Sequence, residues 1–476
     1  MRLTYVALGV AAVAVIVGCA DTAGPAESTL PTLSSTSPDA PAPTGRLIVK
    51  FGGAPPADFP ARVAAIGGTV DWVSEGAGLA TISGVTEKQA TRLAGRGVTG
   101  ILPDVAIHLN APEVADIADA LGAPDTPESQ QNPATSFFFA RQWHLRAIGA
   151  DAAWAAGFRG AASTDVFILD TGIDYTHADL TGLVDLNRSR DLLGIFQYQG
   201  APFNEAALVQ QNFPGRLPFT DLFYHGTHVA ATVSSKAVAT AGVASQVTLV
   251  AVKVCAVVNV CPFSSVINGV IYAADNGADV INLSLGGTIS KAGNGSLVSL
   301  INTVFNYARS KGSTIVTSAG NSAIDMDHDG NSYKNYCNTP AAICVSATGP
   351  TAQAGVNGPW TNIDAPATYT NYGRSAINVA APGGNAASFV YAACSRTSLL
   401  IPVCQTGTFV VGVAGTSMAS PHVAGAAALL VEQLGRNPAA IRARLEQTAD
   451  DLGQSGTDPF YGKGRLNVAR AVGAIP

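Results

Sequence analysis

Val247-Thr248-Leu249-Val250-Ala251-Val252-Lys253-Val254 is a strand-length apolar run, and the rhythm of the chain beyond it decides the fold class. A stretch with helical periodicity covers Ser264 to Asn276, a second apolar run covers Asp279 to Leu285, another helical stretch covers Leu297 to Lys311, and a third run covers Ser313 to Ser318. Short apolar runs alternating with amphipathic helices call for an α/β domain with a mainly parallel sheet and helices on both faces. In such sheets ligands bind beyond the carboxyl ends of the strands. Two polar residues stand at such ends: Asp170, closing Val166-Phe167-Ile168-Leu169, and Asn321, closing Thr317-Ser318-Ala319-Gly320-Asn321.

A third candidate is Ser417 in Gly415-Thr416-Ser417-Met418-Ala419-Ser420-Pro421-His422-Val423-Ala424-Gly425, where a glycine turn meets a small-residue run ending at Gly435. The pattern predicts a serine at a helix N-terminus, among unpaired amides and the positive end of the dipole, with Pro421 tolerated in the first turn. A serine needs a base, and a base needs an orienting group. His225 opens His225-Gly226-Thr227-His228-Val229-Ala230, at the expected start of another helix. Taken singly, each of these is as readily a turn or cap residue; four motifs in order make the catalytic reading.

The order Asp, His, Ser is that of subtilisin. Through these motifs the chain resembles the subtilisin-like serine proteases, the subtilases. The resemblance implies a serine endopeptidase in which Ser417 attacks, His225 is the base, Asp170 orients it and Asn321 donates to the oxyanion. It further implies that the Ser284-Leu285-Gly286 backbone pairs with substrate and walls the specificity pocket, and that the chemistry needs no cofactor. With Ser322 and Ala323 beyond Asn321 and no carboxylate there, apolar or aromatic side chains are expected before the cut bond. His228 and His422 are expected to be structural.

Upstream, Arg2, the apolar stretch Val6 to Val17 and Gly18 before Cys19 read as an export signal over residues 1–18, too short for a membrane span. Ile16-Val17-Gly18-Cys19 resembles a bacterial lipobox, which makes Cys19 the lipid site and membrane anchor of the precursor. The seven cysteines then leave six in three close pairs, Cys255-Cys261, Cys337-Cys344 and Cys394-Cys404, as disulfides of an exported protein; six cysteines alone allow fifteen pairings. No Cys or His cluster has zinc spacing. Residues 19–44 are a Pro-, Ser- and Thr-rich spacer. From 45 to 110 a small α+β unit is expected, with strands at Gly45 to Phe51, Gly78 to Ile82 and Val105 to Leu109 and helices near Arg62 to Ile66 and Glu87 to Leu93. It resembles an inhibitory propeptide, a partner made by the chain itself. Residues 111–141 read as a processing linker. Gln142-Trp143-His144-Leu145-Arg146-Ala147-Ile148-Gly149-Ala150 resembles the entry to a peptidase domain running over 142–476, expected to be a monomer.

The charged fraction is 13% and the net charge −6, with no basic cluster, which argues against a nucleic-acid partner. Two departures from the family stand out: Ala231 replaces a usual glycine, and Ser234 to Gly242 lacks the family's calcium loop. Asp325-Met326-Asp327-His328-Asp329-Gly330-Asn331 instead opens like an EF-hand loop without its twelfth-position glutamate, so Asp325, Asp327 and Asp329 are candidate structural calcium ligands. A silent lipid-anchored binding protein, or a ligase or esterase using the same serine, are the alternatives, and placement after cleavage is expected to be periplasmic or extracellular.

Overall fold

The computed structural model describes residues 42–109, 111–120, 127–334 and 336–476. The expected signal 1–18, Cys19 and the spacer up to residue 41 lie outside them. Strand β1 (Ala42–Phe51) starts slightly before the expected Gly45 and is followed by α1 (Phe59–Ala65), β2 (Thr69–Ser74), β3 (Leu79–Ser83), α2 (Glu87–Ala90) and β4 (Val98–His108). These four strands pair antiparallel in the order β4, β1, β3, β2. The two-residue period of β1 serves two cores: Leu47, Val49 and Phe51 pack with Phe59, Val63 and Ile82, while Ile48 turns the other way into the larger domain. Strand β2 was not foreseen, because its residues alternate only between exposed and half-buried positions before Ser74.

The linker is not all loop. Val114-Ala115-Asp116-Ile117-Ala118-Asp119 forms strand β5 (Val114–Asp119) within the expected processing linker, where no strand was foreseen. After it come β6 (Asp165–Asp170), β7 (Arg190–Asp191), α3 (His225–Val233), β8 (Thr248–Lys253), β9 (Val260–Pro262), α4 (Phe263–Asp275), β10 (Val280–Leu283), α5 (Gly295–Ser310), β11 (Thr314–Ser318), β12 (Ala342–Thr348), β13 (Val379–Pro382), β14 (Val390–Ala393), β15 (Phe409–Val413) and α6 (Thr416–Leu434). A seven-stranded sheet runs β13-β12-β11-β10-β6-β8-β7 with every neighbouring pair parallel. Phe167, Leu169, Val250, Val252, Ile281 and Ile315 face α4 and α5, and α6 packs on the other side of β10 to β13 with α3 beside it. The expected α/β class is the observed one.

The small unit sits on the outer side of α4 and α5: Ile48, Leu79, Ile107 and Leu109 belong to the same core as Phe263, Val266, Ile301 and Phe305. Polar contacts anchor it as well: Arg46 donates to the Leu193 and Ile195 carbonyls and to Ser265 Oγ, and Asn268 Nδ2 donates to Thr81 Oγ1. Pro262 stands where α4 needs an N-cap side chain and supplies none, and Asp104 of β4 takes that role, accepting from Ser264 N at 2.7 Å and Ser264 Oγ at 2.7 Å. Thr44 Oγ1 donates to the same carboxylate at 2.6 Å. Burial pushes the Asp104 carboxyl above its ordinary range against these hydrogen bonds. The three expected disulfides, Cys255-Cys261, Cys337-Cys344 and Cys394-Cys404, are formed.

Candidate active site

Asp170 ends β6, His225 starts α3 and Ser417 is the second residue of α6, so the three meet where the sheet's carboxyl ends face two helix N-termini. His225 Nδ1 lies 2.7 Å from Asp170 Oδ1, which also accepts from Thr171 N at 2.7 Å. The approach requires Gly226, since a Cβ there would run into the Gly172 carbonyl and crowd the Asp170 side chain. His225 Nε2 has no hydrogen-bond partner, and the Ser417 hydroxyl donates to the Ser284 carbonyl at 3.0 Å. Helix α6 begins at Thr416, so Pro421 sits in its second turn and not the first; it removes the amide that would pair with the Ser417 carbonyl.

Asn321 Oδ1 accepts from Thr416 N at 2.9 Å and Thr416 Oγ1 at 2.7 Å. With that oxygen held, the group the amide offers to a ligand is Nδ2, a donor. Its turn is clamped by Asn371, whose Nδ2 donates to Ala319 O at 2.8 Å and whose Oδ1 accepts from Ser322 N at 3.1 Å and Ile324 N at 3.0 Å. Ser284, Leu285 and Gly286 follow β10; Ser284 Oγ bonds Ser420 Oγ at 2.7 Å and Asn282 Nδ2 at 2.9 Å, which fixes the carbonyl facing Ser417. Leu285, Gly286, Ala319, Asn321 and Ser417 line one cleft. Lys334 also lines it, donating to Thr288 Oγ1, so the wall is more polar than the sequence led us to expect.

The cleft contains the chain's own backbone. β4 pairs antiparallel with β9, His108 opposite Val260, Ile107 opposite Cys261 and Ala106 opposite Pro262, and Leu109 N donates to Asn259 O at 3.0 Å. On the other side Gly287 leaves room for the Ile107 side chain, which a Cβ there would hit. Ala111, Pro112 and Glu113 continue past Ser417, and the Pro112 carbonyl accepts from Tyr224 Oη. The Cys255-Cys261 bridge closes the loop whose outer edge, Asn259 to Pro262, holds this segment.

Sequence reasoning missed the support beneath the histidine. Asp221 is fully buried and accepts from Thr171 Oγ1, Phe223 N, Thr227 N and Thr227 Oγ1. Thr171 Oγ1 in turn accepts from Gly226 N at 2.9 Å, so the carboxylate braces both the Asp170 turn and the start of α3. Burial pushes Asp221 up to about 6 against the bonds from Thr227. Asp221 follows Phe219-Thr220 without a recognisable pattern, and no signal marked it. His228 and His422 are buried in the scaffold: His228 Nε2 faces Val390 O at 3.1 Å, and His422 bridges Met418 O at 2.7 Å and His144 Nδ1 at 2.8 Å. Burial lowers them to about 3 and about 4, so both are neutral at ordinary pH.

The three candidate calcium ligands are not brought together. Asp325 Oδ2 pairs with His328 Nδ1 at 2.8 Å, Asp327 Oδ1 accepts from Ser375 N at 3.1 Å and from Ser375 Oγ at 2.5 Å, and Asp329 Oδ1 pairs with Lys291 Nζ at 2.9 Å. Met326 between them is buried with Ala319, Cys337, Cys344 and Ile377, and its amide donates to Tyr372 O, which ties the segment to the catalytic domain's core. Among the described residues no group of three His, Cys, Asp or Glu side chains is placed to hold a metal ion.

Fold and cleft together define a protease of the subtilisin-like architecture. A sequence profile of the Subtilase family matches residues 162–464, and the chain belongs to that family. It is a subtilisin-like serine endopeptidase. It is similar to thermitase of Thermoactinomyces vulgaris, 34% identical over 347 residues that cover 71% of this chain and 99% of thermitase. It is similar also to the thermophilic serine proteinase of Bacillus sp. (strain AK1), 33% identical over 71% of this chain and 69% of that one. Among solved structures, an epidermin leader peptide processing serine protease from Staphylococcus aureus superposes with a TM-score of 0.67 at 21% identity, covering 90% of this chain and 97% of that one. Fervidolysin from Fervidobacterium pennivorans, a keratinolytic enzyme, gives 0.66 at 22% identity over 91% of this chain and 62% of its own. At those identities the superpositions speak for the fold.

Proposed function

We propose that the protein is an exported endopeptidase made as a self-processing precursor, with Ser417, His225, Asp170 and Asn321 as its catalytic residues and Ser284, Leu285 and Gly286 as substrate-binding backbone. The observation that carries this reading is the cleft itself: an extended segment of polypeptide lies across Ser417, paired on one side to Asn259 and β9. Residues 45–110 are then an inhibitory propeptide, and because Leu109 and Ala111 both line the cleft with Ser417, we assign the first cut to the bond before Ala111.

In the reaction the Ser417 hydroxyl leaves the Ser284 carbonyl and turns to His225 Nε2, which takes its proton as the Oγ–carbon bond forms. Asn321 Nδ2 and the Ser417 amide at the positive end of α6 receive the oxyanion. Asp170 keeps the histidine proton on Nδ1 and stabilises the imidazolium. His225 then gives its proton to the leaving nitrogen as the carbon–nitrogen bond breaks. Water, deprotonated by the same imidazole, attacks the ester; its hydroxyl ends on the new carboxylate and Ser417 regains a proton.

Cys19 as the lipid site makes the precursor membrane-held and the peptidase free once the bond before Ala111 is cut. Among the described residues no helix is long and apolar enough to cross a membrane. The test is to express the parent and Ser417→Ala in a host lacking other exported proteases and to map N-termini by mass spectrometry. The parent gives a new terminus at Ala111 or beyond, and Ser417→Ala stays intact. Equal processing of both refutes the assignment.

A further inference from the structure

Catalysis at Ser417 accounts for the cleft as far as Glu113 and gives β5 no task. Beyond Glu113 the chain continues as β5 along the edge of β15, whose carboxyl end leads through Ala414 and Gly415 to Ser417. Val114 pairs with Val413, Asp116 with Gly412, Ile117 with Val411, Ala118 with Val410 and Asp119 with Phe409, and Ala120 N donates to Thr408 O at 2.8 Å. Val114, Asp116 and Ala118 turn toward the body of the protein while Ala115, Ile117 and Asp119 face outward. Only Asp116 finds polar side-chain partners there. Its Oδ2 accepts from Tyr391 Oη at 2.9 Å, and Arg141 Nη1 lies 3.6 Å away.

These two donors belong to the scaffold. Tyr391, in β14, is buried with Phe138, Ala239 and Val410, and its carbonyl accepts from Gln142 Nε2 at 3.2 Å. The Arg141 guanidinium lies over the Phe138 ring at 4.8 Å and near the Tyr391 ring at 5.8 Å. Neither needs β5 to be positioned: Tyr391 stays with β14, and Arg141 stays over Phe138 when β5 is shed by a cut ahead of Pro127.

We propose that the edge of β15 is a substrate-binding strand on the leaving-group side of the cut bond. It takes an extended polypeptide with a carboxylate at the place of Asp116, and β5 is its occupant in the precursor. The proposal rests on Ser417 being the nucleophile. Main-chain pairing along the edge is indifferent to side chains, whereas a tyrosine hydroxyl with a neighbouring guanidinium adds a charge-assisted selection at one position. One cut before Ala111 therefore clears the amino side of the cleft and leaves this edge covered until β5 departs.

The experiment uses the full-length protein, self-processed until N-terminal analysis shows that residues 111–119 have been shed, and three substrates. One is an anilide whose acyl part copies residues 107–110, which reaches only the amino side. The others are peptides copying residues 103–119, with Asp or Asn at the place of Asp116. The anilide is hydrolysed, and the Asp peptide has a KM about tenfold below the Asn peptide at equal kcat. In Tyr391→Phe the ratio of the two KM values falls toward one; being taken within a single preparation, it does not depend on how much of the variant folds. Equal KM values in the parent, with the anilide cleaved, overturn the β15 proposal and leave Ser417 standing, as does an unchanged ratio in Tyr391→Phe. An anilide left intact overturns the Ser417 assignment, and this proposal with it.

Discussion

Replacing Asn321 separates the donor from the geometry around it. Its Oδ1 holds Thr416 through two hydrogen bonds, and its Nδ2 is the donor proposed for the oxyanion. Asn321→Ala removes both, and loss of such a donor lowers kcat by about 10²–10³, or roughly 2.7–4 kcal/mol. Asn321→Asp retains an acceptor for Thr416 N and Oγ1 but replaces the donor with a negative oxygen, so its kcat falls further than that of Asn321→Ala. Thr416→Val removes one of the two bonds that aim the amide while Nδ2 stays, and costs about tenfold. The order of activity is thus parent, Thr416→Val, Asn321→Ala, Asn321→Asp. The assay is conversion of the precursor, which as an intramolecular step is first-order and independent of protein concentration, so weakened substrate binding does not enter. Circular dichroism confirms folding of each variant. Conversion of Asn321→Ala within threefold of the parent, or Asn321→Asp faster than Asn321→Ala, refutes the reasoning.

Asp104 is a carboxyl raised by burial where the 45–110 unit, the proposed propeptide, docks, so the docked state binds a proton more readily than the free one. Docking is then strongest below the ordinary carboxyl value of 3.8, weakens as pH rises through the raised value and is flat above it; titration of cleaved propeptide onto Ser417→Ala shows this step, and Asp104→Asn lacks it. Replacing Cys255 and Cys261 with alanine removes a closed loop worth about 2 kcal/mol and frees the Asn259 edge, so thermal unfolding comes roughly 4 °C earlier and KM for long peptides rises; an unchanged KM would separate the bridge from substrate binding. Cell fractionation of the Ser417→Ala precursor finds it in membranes, whereas Cys19→Ala with Ser417→Ala is soluble; recovery of both in the same fraction refutes the anchor.

The parallel sheet was legible because its strands are buried on both faces and read as continuous apolar runs, as Val166 to Leu169 and Val247 to Val254 do. Asp170, His225, Ser417 and Asn321 were legible because each closes or opens such an element. β5 was not, because Val114 and Ile117 fall three apart among alanines and aspartates and give no two-residue alternation, and the strand that organises them lies almost three hundred residues on. Asp221 and Asn371 were missed for the same reason: each matters through groups on other elements, and neither has a pattern of its own. Lys253 likewise ends an apolar run, and only the fold reveals Glu205 Oε1 at 2.6 Å from its buried ammonium. In the aspartate loop the alternating carboxylates were visible, while their separate partners His328, Ser375 and Lys291 and the core contact of Met326 were not.

The pairing of Ile117 with Val411 joins residues 294 positions apart. β14 and β15 form a local hairpin, tied nearby by Cys394-Cys404, and can close early. β5 must wait. At roughly 5–20 residues per second of synthesis its partner emerges about 15–60 s later, and an extended segment left that long is prey to strand pairing with other copies. Asp116 and Asp119 put charge on both faces of the strand, the arrangement that gatekeeper residues have. The carboxylate that meets Tyr391 in the folded chain is thus also a charge that opposes such pairing while the partner strand is still missing.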